Sequence, residues 1–179
     1  MTTWKLDSAH TQVNFSAKHM MVTTVRGQFH DVQGTIELDE TTPTRSHGEF
    51  TVATASVDTN FAARDTHLRS ADFFDVATYP LLTFVSKTIA KHGDELQLLG
   101  ALTIHGITRD ITLEVEQLGA TNDPWGNHRL AFSARGSLDR KDFGLHWNQV
   151  LEAGGFMVGD KIELSLDIEA VRAAAKVAA

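Results

Sequence analysis

Apolar and polar residues alternate one by one along most of this chain, and this period constrains the fold more than any other feature. The clearest run lies near the C terminus, where Ile162, Leu164, Leu166 and Ile168 are separated by polar or charged residues. Successive side chains of a strand point to opposite faces, so the pattern predicts a strand with one buried face. Similar runs predict strands near residues 12–19, 50–57, 96–104, 107–117, 129–138 and 161–170.

Less regular runs near residues 22–29, 32–38 and 82–91 bring the runs to nine, which we take as about eight strands. The connections between them are too short for crossover helices, so we expect an antiparallel sheet. Such a sheet buries its apolar face by closing on itself, which also removes exposed edges. The predicted fold class is therefore all-β, an eight-stranded antiparallel barrel. A two-layer sandwich remains open as an alternative.

The alternation is interrupted in two kinds of place. In the 50–57 run the phase slips between Val52 and Ala55, which predicts a β-bulge. The stretch 64–84, RDTHLRSADFFDVATYPLLTF, has a helical pattern instead, and it predicts a short helix near residues 63–75. On that helix Arg64 is expected to approach His67, and Asp65 to approach Arg69. A further helical turn is predicted near residues 140–148.

Composition limits the possible functions. The chain has 179 residues, a formal net charge of −7 and no cysteine. We expect one domain over 1–179, with an ordered core over about 4–170 and a C-terminal tail over 171–179. The negative charge argues against nucleic acid and against an anionic membrane surface as the main partner, and the missing thiols exclude disulfides and Cys-ligated zinc.

The distribution of apolar residues bears on location. No run approaches the roughly 20 apolar residues of a membrane-spanning helix, so stable membrane insertion is not expected. The N-terminal residues MTTWKLDSAH lack the features of a secretory signal. A cytoplasmic location is therefore expected, or a periplasmic one if a leader was removed.

Five segments in order resemble a known family. They are HTQVNFSAKHMMVTTVRGQF, SVDTNFAARDTHLRSADFFDVATYP, LGALTIHGITRDITLEV, RKDFGL and VGDKIELSLDIEA. Together they resemble the YceI-like, lipocalin-like family of polyisoprenoid-binding proteins, from about Trp4 to Ala170. The resemblance implies an extended barrel whose interior receives the tail of a long isoprenoid lipid, commonly in a homodimer. It also implies a secreted, periplasmic protein for many members, a pattern from which this N terminus departs.

The inward face of the predicted barrel supplies the candidate ligand site. Small residues among its large apolar ones suggest unfilled volume, although Gly and Ala also relieve curvature at barrel corners. About twenty buried carbons would contribute roughly 16 kcal/mol gross to binding. Twelve residues are predicted to line the apolar channel: Phe15, Ala17, Phe50, Phe84, Leu98, Leu102, Ile104, Leu113, Phe132, Ala134, Leu164 and Leu166.

Polar residues give weaker signals. A phosphorylated headgroup would need arginine at the barrel mouth, and the candidates are Arg26, Arg64, Arg69 and Arg109. The histidines show no HExxH or comparable spacing, and there is no GxSxG, so no catalytic residue, no metal site and no cofactor other than a bound lipid is predicted. The three tryptophans, Trp4, Trp125 and Trp147, are expected to plug barrel ends or interfaces.

Three functional hypotheses follow. The leading one is non-catalytic binding, sequestration or transport of a polyprenyl phosphate or isoprenoid quinone. The second is an enzyme that acts on such a lipid with a His/Arg/Asp group at the barrel mouth. The third is a protein-interaction module in which the lipid is structural.

Overall fold

The structure is a computed structural model that describes residues 1–93, 95–152 and 154–174. The predicted C-terminal tail over 171–179 therefore lies partly outside the described residues. The strands are β1 (Thr2–Leu6), β2 (Gln12–His19), β3 (Thr23–Phe29), β4 (Val32–Leu38), β5 (His47–Ala53), β6 (Val57–Asp58), β7 (Leu81–His92), β8 (Glu95–Ile104), β9 (Ile107–Asn122), β10 (His128–Asp139) and β11 (Val158–Arg172). Helix α1 (Ala62–Arg69) lies between β6 and β7.

These strands occupy eight positions, or staves, around a closed barrel. Strands β7 to β11 are one stave each, and consecutive staves pair antiparallel. The other three staves are interrupted pairs of strands, β1 with β2, β3 with β4, and β5 with β6. The ring closes at β11, whose one edge pairs with β10 and whose other edge pairs with β2 along its first part and β1 along its last. The predicted eight-stranded antiparallel barrel is confirmed, and the sandwich is excluded.

The predicted strand 50–57 is wrong in its details. Strand β5 begins at His47 and ends at Ala53, and a 3₁₀ turn over Thr54–Ser56 precedes the short β6. The phase slip is therefore a 3₁₀ turn and not a bulge. Thr54 explains the break, because its fully buried hydroxyl donates to the Tyr79 carbonyl at 2.9 Å and fixes the turn to the segment before β7.

Other boundaries also differ from the prediction. Helix α1 ends at Arg69, well before the predicted residue 75, because the Ser70 hydroxyl donates to the His67 carbonyl at 2.7 Å and Ser70 itself is extended. The helical turn predicted over 140–148 is a 3₁₀ turn that ends at Phe143. Gly144 follows with φ of 77°, a left-handed conformation that favours glycine.

Strand β1 was not predicted, and β9 and β11 run past their predicted ends. The five residues of β1 are too few for a period-2 pattern to register. Strand β9 continues to Asn122 instead of residue 117, and β11 continues to Arg172 instead of residue 170. The two-residue turn at His105-Gly106, with φ of 52° and 73°, joins β8 to β9 as expected for a tight hairpin.

The barrel axis has two ends that matter for the site. Residue Val158 at the start of β11 lies opposite His19, whereas Val171 lies opposite Arg129. The β2–β3 turn, α1 and residues 140–152 and 154–157 are therefore at one end, here called the helix end. The β9–β10 turn is at the other end. Within the described ranges, no helix is both long and apolar enough to cross a lipid bilayer.

Candidate functional site

An apolar cavity of about 570 Å³ runs along the inside of the barrel. This volume lies within the roughly 300–1,000 Å³ range of sites that enclose small molecules. Its wall includes Leu38 and Leu96 toward the β9–β10 end, and Trp147 and Met157 at the helix end. The cavity thus extends along the barrel axis, a shape that suits an elongated ligand better than a compact one.

All twelve residues predicted for the channel line this cavity. The period-2 argument places them correctly because residues that share one face of each strand also share the interior of the barrel. Strands β10 and β11 illustrate the arrangement. Ala134 pairs with Leu166 and Gly136 with Leu164, and Ala134 and both leucines face the cavity.

The glycines of the inner face do not supply the empty volume. A Cβ placed on Gly100 would collide with the Phe84 ring, which lies directly over that glycine from the neighbouring strand. Gly136 is covered by Leu113 in the same way. The interpretation that such glycines mark unfilled volume is therefore wrong for these two positions. They allow large side chains to lie against the wall, and the Phe84–Gly100 contact is the arrangement known from designed sheets as aromatic rescue of glycine.

The tryptophans differ in position. Trp4 is 5% exposed and packs with Leu130, Phe132 and Ala170 inside the barrel toward the β9–β10 end. Trp147 lines the cavity at the helix end. Trp125, in contrast, is 81% exposed in the turn after β9, so it does not plug the barrel end, and its place at an interface stays a prediction.

A polar network forms part of the rim at the helix end. The buried carboxylate of Asp65 accepts hydrogen bonds from the backbone N–H of Thr59 at 2.9 Å and from its hydroxyl at 2.6 Å. Arg64 donates from Nε to the Thr59 hydroxyl oxygen at 2.7 Å and from Nη2 to the Thr59 carbonyl at 2.8 Å. These bonds tie α1 to the end of β6 and set Arg64 against the cavity, which it lines.

The predicted side-chain pairs on α1 are wrong. Asp65 bonds to Thr59 and not to Arg69, and His67 pairs through Nε2 with Asp72 at 2.8 Å and not with Arg64. The reason is that these side chains have partners outside the helix, in turns that pack against it. Intrahelical spacing alone does not report such partners.

His67 belongs to an aromatic group at the rim. Its ring lies edge-on to Trp147, with centroids 4.6 Å apart, and to Phe73 at 5.1 Å. All three side chains line the cavity. Because Asp72 holds one ring nitrogen of His67, the imidazole has a fixed orientation at the mouth.

A buried arginine supports the segment that carries Trp147. Arg140, only 2% exposed, donates to the carbonyls of Leu145 at 2.5 Å, Trp147 at 2.9 Å and Gly159 at 3.0 Å, and it pairs with Asp160 at 3.2 Å. Backbone carbonyls and one carboxylate thus satisfy a buried charge. The guanidinium fastens residues 145–147 to the start of β11.

The four candidate headgroup arginines do not converge on one mouth. Arg64 lines the cavity, as described above. Arg26 is exposed on β3, next to the cavity-lining Val25 and therefore on the outer face. Arg69 donates to the carbonyls of Ala55 and Val57, which fixes the 3₁₀ turn. Arg109 is exposed on the outside of β9, where it donates to the Thr108 carbonyl.

Asp7, His10 and Glu169 form a cluster with the potential ligand atoms of a metal site within 4.8 Å of one another. Arg129, however, donates to both carboxylates, at 2.7 Å to Asp7, and to Asp123 at 2.8 Å. The hydrogen bond from Arg129 is the main cause that lowers the pKa of Asp7 from 3.8 to about 2. Because Arg129 already neutralises the charge of these carboxylates, the cluster is an ion-pair network.

Several lining residues were missed because they lie outside the strands. They come from α1 and the residue before it, from the turns after it and from the segment before β11. The local signal was the apolar doublet Phe73-Phe74 within an otherwise polar stretch, but the period-2 argument does not apply there. The missed residues are Phe61, Leu68, Phe73, Phe74, Leu145 and Met157.

A closed eight-stranded antiparallel barrel around an apolar cavity defines a class of β-barrels that enclose small ligands. The chain belongs to the YceI-like family, since the model of the YceI-like domain matches residues 4–170. Protein YceI of Salmonella newport (strain SL254) is 40% identical over 171 residues, which cover 94% of this chain and 86% of the relative.

Solved structures agree on the fold. The crystal structure of BcnA from Burkholderia cenocepacia matches with a TM-score of 0.79 and 24% identity, over 92% of this chain and 98% of BcnA. A polyisoprenoid binding domain from Saccharophagus degradans matches with a TM-score of 0.68 and 14% identity, over 97% of this chain and 100% of that domain. At these identities the likeness concerns the fold, and it confirms the lipocalin-like barrel.

Proposed function

We propose that this protein binds the hydrocarbon tail of a long isoprenoid lipid, a polyprenyl phosphate or an isoprenoid quinone, and sequesters or transports it without chemical change. The observation that carries the proposal is the continuous apolar cavity of about 570 Å³ along the barrel axis. Membership of the YceI-like family supports it, as does the fold shared with a domain described as polyisoprenoid binding.

The energetics favour recognition through the tail. Each buried methylene contributes about 0.8 kcal/mol, so a tail of roughly twenty carbons contributes about 16 kcal/mol gross. Association and ordering cost on the order of 4–15 kcal/mol, which leaves about 1–12 kcal/mol; binding is micromolar or tighter where these costs stay below about 8 kcal/mol. The wall along most of the cavity is formed by aliphatic and aromatic side chains such as Leu98, Ile104 and Phe132, which stabilise any apolar chain of suitable width.

The headgroup of the lipid belongs at the helix end in this proposal. Arg64 has Nε and Nη2 bonded to Thr59, and its position on the cavity rim leaves Nη1 as the donor for a phosphate or a quinone carbonyl. His67 and Trp147 flank the same mouth. A single arginine there predicts a modest preference among headgroups, with the tail dominating affinity.

The enzyme alternative rests on one observation, the His67–Asp72 pair beside the cavity. A fixed imidazole could move a proton to or from a lipid headgroup.

One experiment tests the carrier and the enzyme together. Protein purified gently without detergent is extracted with organic solvent, and the extract is analysed by mass spectrometry before and after incubation with the recovered lipid.

Each outcome has a definite meaning. An isoprenoid recovered unchanged supports the carrier, and a chemically altered lipid supports the enzyme. A protein that yields no isoprenoid and also fails to bind an added isoprenoid quinone contradicts the proposal and leaves the protein-interaction module. The homodimer expected from the family resemblance is part of the same proposal, and sedimentation equilibrium tests it.

A further inference from the structure

Five large apolar side chains are exposed together at the helix end of the barrel. Met20 is 45% exposed, Met21 72%, Val22 80%, Val150 77% and Phe156 51%. The first three form the β2–β3 turn, and the other two face each other in an isolated β-bridge before β11. We call this group the collar.

The two parts of the collar are in direct contact and adjoin the cavity. The backbone N–H of Met20 donates to the Met157 carbonyl at 2.8 Å, and the Met21 sulfur lies against Gly155. Lys18, His19 and Met157 are the neighbours of the collar along the chain, and all three line the cavity. The collar therefore borders the mouth at which Arg64 also lies.

The β2–β3 turn carries residues that folding alone does not favour. Met20 and Met21 have φ of 51° and 61°, and Val22 donates to the His19 carbonyl at 3.1 Å. These are the features of a type I′ turn, in which Asn-Gly is strongly preferred. Two methionines in the left-handed conformation, both largely exposed, stabilise neither the turn nor the core. Backbone strain of this kind is a reason to look for a function.

The charge around the collar differs from that of the whole chain. Residues 9–30, which include β2, the turn and β3, contain Lys18 and Arg26 and no aspartate or glutamate, although the chain carries a net charge of −7. Lys141 lies over the Phe156 ring, 5.8 Å from its centroid, and pairs with Asp160. Glu152 is the one carboxylate in the sequence between Val150 and Phe156.

We propose that the collar docks reversibly on the surface of an anionic lipid bilayer and brings the cavity mouth to it. Apolar side chains beside cations are the pattern of segments that lie in the membrane interface. The idea rests on the proposed function, because a tail drawn from a bilayer directly into the barrel never has to enter water. The docking is interfacial and does not involve a membrane-spanning element.

The turn itself offers a sharp test. The variant Met20→Asn/Met21→Gly removes the two apolar side chains but supplies the residues that a type I′ turn prefers, so the midpoint of thermal unfolding should stay or rise by about 4 °C. The matched control is Leu118→Ser/Trp125→Ser, which removes two exposed apolar residues, 56% and 81% exposed, toward the opposite end. Binding is measured by co-flotation with phosphatidylcholine vesicles that contain phosphatidylglycerol but no isoprenoid.

Wild type and the control should bind these vesicles, and the turn variant should partition at least about tenfold more weakly, since partial burial of each methionine is lost. All three proteins should bind a short-tail isoprenoid quinone in solution with the same affinity. Docking is refuted if the wild type does not bind, if the turn variant binds like wild type, or if the control loses binding equally. If the wild type is a dimer and the turn variant is a monomer, docking on the bilayer is also refuted, and the collar is then the interface with a second copy of the chain.

The quinone measurement keeps the two proposals separable. If the wild type binds vesicles but not the quinone, the result contradicts the lipid-carrying function and leaves docking intact. Retained quinone binding without vesicle binding contradicts docking alone.

Discussion

Filling the cavity from one buried position should weaken tail binding and preserve the barrel. Ala134 is 3% exposed and faces the cavity from β10, opposite Val115 and Leu166 on the flanking strands. In Ala134→Trp the indole occupies space of about nine carbon-sized groups, each worth about 0.8 kcal/mol to a bound tail, or about 7 kcal/mol as an upper limit. A loss of a third of this value, about 2 kcal/mol, weakens binding about thirtyfold.

The assay is the affinity for an isoprenoid quinone, taken from the midpoint of its quenching of the intrinsic tryptophan fluorescence, with urea unfolding as the measure of stability. Overpacking should cost the variant no more than about 1–3 kcal/mol. Ser137→Trp is the matched control, because Ser137 is on the same strand, exposed and on the outer face. Equal quinone affinity of wild type and a folded Ala134→Trp, or an equal loss in Ser137→Trp, would refute the assignment of this face to the ligand.

Three further predictions concern stability. Gly100→Ala should cost about 1–3 kcal/mol in urea unfolding because the new Cβ displaces the Phe84 ring, and Phe84→Leu in the same chain should recover part of that loss; additive effects would contradict this. Arg129 holds the pKa of Asp7 at about 2, below 3.8, so the stability of the wild type should fall as the pH drops from about 4 to about 2. In Arg129→Met the stability should change less with pH over this interval. Parallel profiles of stability against pH for wild type and variant would disprove the link. Arg140→Met should lose about 3 kcal/mol or more of stability in thermal unfolding, because the carbonyls of Leu145, Trp147 and Gly159 lose their donor and Asp160 keeps Lys141 alone of its two cations. A change below about 1 kcal/mol would show that the buried network is dispensable.

The barrel was predictable because period-2 alternation survives wherever a strand is long. Strands β8 to β11 each have ten or more residues, and their inward faces were assigned correctly down to Leu102, Phe132 and Leu166. The interrupted staves were harder. A strand of five residues such as β1 is too short for the alternation to be recognised. The 3₁₀ turn at Thr54 is fixed by a hydrogen bond to Tyr79, a partner distant in sequence that no local pattern reveals.

The polar rim shows the corresponding limit for the site. Arg64 was a candidate and does line the cavity, but the bonds that hold it come from Thr59, which the helical spacing did not indicate. Arg69 and Arg140 look alike in sequence as isolated arginines near turns. In the structure both bind backbone carbonyls, and Arg140 is buried. Such roles depend on where the chain returns, which local patterns do not encode.

The most direct test of the account is the dependence of affinity on tail length. Isoprenoid quinones with the same headgroup and successively longer tails are titrated against the wild-type protein, with Trp147→Phe as the control that assigns the quenching to the cavity mouth. The account predicts an affinity that rises about tenfold or more with each added isoprene unit, since five more carbons are buried, and that levels off once the 570 Å³ cavity is full. An affinity that is the same for every tail length would contradict it.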